Sequence, residues 1–85
     1  MAVNLAEMKS GQSGVITTFQ GGPGFAEKLG HIGIRKGKEV KKISSIFRRG
    51  PVTILIDNFQ VAIGYGKAVR IMVEVNSSEK NSPGR

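Results

Sequence analysis

Between Lys28 and Val40 the chain spaces Gly30, Gly33 and Gly37 among Leu29, Ile32 and Ile34, and a basic, β-branched run follows. Glycine lacks a Cβ, so it can take positive φ or let another backbone approach closely. Three such positions so near each other predict a tightly folded corner, where a short helix ends and a strand begins. This corner constrains the fold more than any candidate catalytic group, because such groups are nearly absent from the chain.

The runs on either side of the corner read as short strands. Val15 to Gln20 is β-branched and aromatic, and Gly21-Gly22-Pro23-Gly24 stops it. Phe25, Leu29 and Ile32 recur at four and then three residues, which predicts one buried face of a short helix over Phe25 to His31. Val40, Ile43 and Ile46 are three apart, so that strand is expected to carry a bulge near Lys41 and Lys42. Val52 to Ile56 and Phe59 to Ile63 flank Asp57-Asn58, two residues that tolerate left-handed geometry, and this predicts a hairpin. Val52, Ile54 and Ile56 would share one face, as would Phe59, Val61 and Ile63. Gly64 to Val69 reads as a helical turn or tight bend, and Ile71 to Val75 as the last strand. In the lead-in, Leu5 and Met8 fit one face of a single helical turn. The expected architecture is all-β with a small α insertion: five short antiparallel strands bent into a barrel, with one short helix after the first strand. Residues 1–75 form the domain, and the polar stretch 76–85 is expected to be a disordered tail.

The chain has 85 residues, room for one small core. It has no cysteine, which removes disulfides, thiolate ligands and cysteine nucleophiles. No apolar run approaches the roughly 20 residues that span a bilayer, and the N-terminus lacks signal-peptide regions, so a cytoplasmic protein without membrane insertion is expected. Lys and Arg number 13 against 6 Asp and Glu, a net charge of +7. Such an excess favours an acidic partner, a nucleic acid or an anionic membrane face. The basic residues concentrate at Arg35, Lys36, Lys38, Lys41, Lys42, Arg48 and Arg49, which reads as a solvated rim or a docking surface.

Three blocks in order resemble the FeoA-like family: the helix-Gly-Ile corner through Gly37, the run Val61 to Val73 with its glycine-flanked turn, and Leu5 to Ile16 with Gly11 and Gly14 before a strand. The resemblance covers roughly residues 3 to 75. One departure is Lys36, where the family often has Pro. The resemblance implies an SH3-like β-barrel and a role as an accessory of bacterial ferrous iron uptake. It also implies a partner, FeoB, a membrane transporter with a cytoplasmic GTP-binding domain, which the chain would dock to and modulate. A related domain ends iron-dependent repressors of the DtxR type, where DNA-binding helices precede it; such helices, and hence a repressor, are not expected here.

The residues offer little chemistry. Gly22-Pro23-Gly24 has Glu27 where a dinucleotide fingerprint needs its third glycine, and Gly37-Lys38 is followed by Glu39 where a P-loop needs Ser or Thr. A tight transition-metal site wants three or four ligands. Glu27 and His31, four apart on a helix, supply only two, so neither a confident metal site nor a cofactor is expected. The acids Glu7, Glu27, Glu39, Asp57, Glu74 and Glu79 are scattered, and no nucleophile-base pair is suggested, so an enzyme is not expected. The rival reading is a basic small-barrel module that binds nucleic acid, with Tyr65 and Phe47 as the stacking platforms and Phe19, Phe25 and Phe59 facing inward. Loops on a rigid scaffold usually carry contacts. Arg35, Lys36 and Lys38 in the corner, with Tyr65 and Lys67 in the later bend, are therefore the expected partner contacts.

Overall fold

A computed structural model describes residues 1–44 and 49–75. In chain order it contains β1 (Ala2–Asn4), a 3-10 turn (Leu5–Glu7), β2 (Ser13–Phe19), α1 (Pro23–His31), β3 (Glu39–Ser44), β4 (Val52–Ile56), β5 (Phe59–Ile63), α2 (Tyr65–Ala68) and β6 (Ile71–Val75). The strands form one antiparallel sheet in the order β1-β6-β2-β3-β4-β5. It wraps a single core of aliphatic side chains, among them Leu5, Ile16, Ile34, Val40, Ile54, Ile71 and Val73. The expected small β architecture with a helical insertion is present, but the strand count is six rather than five. The added strand is β1, which pairs Ala2 with Glu74 and Val3 with Val73. Three residues are too few to show a period, and β1 owes its conformation to β6 rather than to local propensity. Among the described residues the ladder stays open, with β1 and β5 as its two edges. The expected tail 76–85 lies outside the described residues, as do Ile46, Phe47 and Arg48.

The glycine corner forms as a Schellman motif. The Gly33 N–H donates to the Gly30 carbonyl at 3.1 Å, and the Ile34 N–H donates to the Leu29 carbonyl at 3.0 Å. Ile34 and Leu29, the pair this motif brings together, are both buried in the core. Gly33 has φ +89°, and a Cβ built there would meet nothing within 4 Å. The requirement is thus conformational and not steric. Gly33→Val is expected to lower the unfolding free energy by about 1–2 kcal/mol, the cost of left-handed backbone for an L residue. Urea unfolding measures this, and an unchanged midpoint would contradict the reading of the corner.

The helix begins two residues earlier than its apolar spacing suggests, because Pro23 suits the first helical position. Its end corrects one expectation. Ile32 does not share the buried face with Leu29: it follows the last helical residue at φ −108°, and 57% of its surface is exposed. Phe25 is half-buried. It packs edge-to-face on Phe19, with ring centroids 6.2 Å apart, and the Arg70 guanidinium lies 5.8 Å from its ring centre. These contacts tie the start of α1 to the ends of β2 and β6.

The hairpin forms as read, with Asp57 at φ 51° and Asn58 at φ 68°. Val52, Ile54 and Ile56 are all buried. On β5, burial instead fades toward the turn: Ile63 is buried, Val61 is half-buried and Phe59 is 70% exposed. Phe59 shares a face with the other two, but the tip of the hairpin runs past the part of the core that could cover it. The bulge in β3 falls between Lys42 and Ser44, beside the expected place. A second bulge, not foreseen, lies between Ile16 and Thr18 on β2. There β2 keeps pairing with β6, while its ladder with β3 gives way to bonds from the corner: Ile16 N–H to the Lys38 carbonyl at 2.9 Å and Gly37 N–H to the Ile16 carbonyl at 2.8 Å.

Candidate docking surface

The corner and hairpin tip meet at one end of the molecule. Lys38 Nζ donates to Asp57 Oδ2 at 2.7 Å, across the gap between the corner and the turn. Arg35 Nη2 donates to the Gly30 carbonyl at 3.3 Å, which holds its side chain back over the end of α1. Lys36 is exposed. Between corner and hairpin lies a cavity of about 370 Å³, lined chiefly by Ile32, Gly33, Ile56, Phe59 and Val61. Sequence reasoning missed Ile32 and Phe59 as surface residues, because periodicity reports the face a side chain takes and not whether another element reaches that face.

The other two expected contacts lie elsewhere. Tyr65 and Lys67 sit on α2, directly after the far end of β5. Tyr65 is half-buried, Lys67 is exposed, and Tyr65 lines a second cavity with Asn4, Glu7 and Arg49. The five named residues therefore form two groups, Arg35, Lys36 and Lys38 at one end and Tyr65 and Lys67 at the other. Strand β5 joins them, about 17 Å long at the usual rise per residue.

Lys42 leaves the basic rim altogether. Alternation along β3 puts it on the inward face with Val40, and it is only 2% exposed. Its Nζ donates to the carbonyls of Met8 at 2.7 Å, Ala6 at 2.9 Å and Leu5 at 3.4 Å. It thereby satisfies the Ala6 and Met8 carbonyls, and shares the Leu5 carbonyl with the Met8 N–H, which donates to it at 3.4 Å. At the other end of that turn, Asn4 and Glu7 form a reciprocal capping box. Burial holds the Lys42 ammonium below its ordinary pKa. In the structure Lys42 falls two residues after Val40 on the same face, but a polar residue at that position gives no apolar alternation to read.

Glu27 and His31 are exposed one turn apart on α1. Among the described residues no group of three or more His, Asp or Glu side chains comes together. The corner glycines serve backbone geometry, and Lys42, the one buried cation among the described residues, is occupied by three carbonyls. What the surface offers is shape, charge and apolar contact. No helix among the described residues is long and apolar enough to cross a membrane.

Comparison with known proteins agrees with this picture. The profile of the FeoA domain matches residues 3–75. A relative from Methanocaldococcus jannaschii, provisionally named Fe(2+) transport protein A, is 36% identical over 70 residues, covering 82% of this chain and 83% of the relative. The crystal structure of an iron uptake regulatory protein, FeoA, superposes with a TM-score of 0.80 at 33% identity, covering 89% of this chain and 99% of the other. The zinc-complexed FeoA of Stenotrophomonas maltophilia, described as an SH3 domain protein, superposes at 0.71 with 22% identity, covering 85% of this chain and 89% of its own.

Proposed function

The chain belongs to the FeoA domain family, and from that premise we propose that it is a cytoplasmic accessory of ferrous iron transport. In this reading it docks to the cytoplasmic, GTP-binding region of a FeoB-type transporter and modulates it. The observation that carries the reading is an exposed apolar cavity beside the corner that bears Arg35, Lys36 and Lys38, on a scaffold whose described residues gather no cluster of three metal-ligating side chains. A protein so built acts by contact. Iron would be the cargo of the partner, since Glu27 and His31 give only two ligands.

The corner cations would speed encounter with an acidic surface more than they would tighten the complex. Replacing Lys36 and Lys38 together by Glu is expected to slow association with the purified GTP-binding domain about tenfold at low salt and to change the dissociation rate little. Stopped-flow or surface-plasmon rates measure both. An unchanged association rate would remove this surface from the docking reading. The nucleic-acid reading has less support. Phe59 is exposed, but one exposed ring among the described residues, beside an open apolar cavity, is not the row of stacking faces that single strands need.

A further inference from the structure

We infer that the outer edge of β5 takes an added strand: an extended partner segment, apolar in the middle and acidic at both ends. The two-residue turn makes Ile56 and Phe59 a pair that exchanges both hydrogen bonds, and so also Ile54 with Val61 and Val52 with Ile63. The N–H and C=O groups of Gln60 and Ala62 consequently point away from β4. Both residues are exposed, and among the described residues no backbone bond reaches them from any other strand.

Free sheet edges are usually blunted by a lysine, a proline or an inward-pointing charge. Strand β5 reads Phe-Gln-Val-Ala-Ile and carries none of these. Beside it lies the apolar cavity floored by Ile32, Ile56 and Phe59. Main-chain bonds would hold an extended segment to the edge, and alternate side chains would enter the cavity. Cations stand toward both ends of the strand: Lys38 pairs with Asp57 at the hairpin tip, Arg35 and Lys36 are exposed in the same corner, and Lys67 lies beyond Ile63. The same charges argue against a second copy of this chain as occupant, since each copy carries +7. An occupant lying along β5 would run from the glycine corner to α2, past both groups of expected contacts.

The inference rests on reading the domain as a docking module, but its test leaves the transporter out. The probe is a synthetic Asp-Glu-Val-Thr-Val-Thr-Val-Glu-Asp peptide, titrated into the isotope-labelled full chain and followed by amide chemical shifts. The expected result is that the Gln60 and Ala62 amides move and gain protection from hydrogen exchange. Methylating the peptide nitrogens on one alternate set of residues should weaken binding about tenfold, and on the other set hardly at all. A version with Lys at both ends should bind about tenfold more weakly at low salt. Absence of binding, equal effects of both methylated sets, shifts confined to other elements, or equal binding of the Lys-ended peptide would each overturn the proposal. So would concentration-dependent shifts of Gln60 and Ala62 in the chain alone, which would make a second copy the occupant. If the peptide fails while transporter co-purification succeeds, docking uses another surface. The opposite pair of results would keep the edge and change the partner.

Discussion

Gly14→Val is expected to destabilise the domain by about 3 kcal/mol or more, the upper range for forcing atoms into a packed interior. Gly14 sits on β2 between β6 and β3, paired with Val75 on one side and Val40 on the other. A Cβ built there would lie 2.5 Å from Val73 Cγ1 and 2.6 Å from the Glu74 carbonyl oxygen. The carbonyl belongs to a strand that is bonded on both edges, so it cannot yield without breaking the ladder. A domain of this length has about 4–13 kcal/mol in total, which makes the loss a large share. The melting temperature should fall by roughly 12–24 °C. A drop of less than about 4 °C in a thermal scan would mean that β6 moves freely, contrary to the packing described here. Gly33→Val is the instructive comparison: there the space is open and only the backbone objects.

Lys42→Met should cost about 2–3 kcal/mol, because it leaves the Ala6 and Met8 carbonyls inside without their ammonium donor. The pH dependence gives this prediction a sharper form. Burial lowers the Lys42 pKa from the usual lysine value of 10.5. Below the lowered value both folded and unfolded chains hold the proton, and folding bears the full cost of burying the charge. Between the lowered and the usual value the unfolded chain binds more protons, so the contribution of this site to stability rises with pH. The gap in unfolding free energy between the native chain and Lys42→Met should therefore widen as pH is raised toward about 10. Urea titrations at a series of pH values measure it. A gap that narrows over that range would show that the carbonyls favour the charged form more strongly than burial opposes it.

The parts of the fold that were legible in the sequence are those where a local rule fixes the backbone. Gly33 marked the helix end, Asp57-Asn58 marked the hairpin, and Gly64 to Val69 marked a turn that closes as α2. What was not legible depends on distant partners. Strand β1 exists because β6 offers it an edge. Phe59 and Ile32 are exposed because nothing in the described structure reaches over the hairpin tip, a fact of topology rather than of period. Lys42 is buried where three carbonyls, two in the 3-10 turn and one just after it, over thirty residues earlier in the chain, converge on it. The candidate surface was half legible. The corner cations are visible in the sequence, but the cavity, and the β5 edge left unpaired among the described residues, needed the sheet order.

Function through contact is the claim on which the rest depends, and co-purification tests it most directly. The tagged full chain is expressed alongside a FeoB-type transporter, and membranes are solubilised and captured on the tag, with and without ferrous iron. The account predicts that the transporter is retained, and that replacing Lys36 and Lys38 by Glu reduces the amount retained. A transporter that washes through under both conditions, while the chain is folded and in excess, would contradict it.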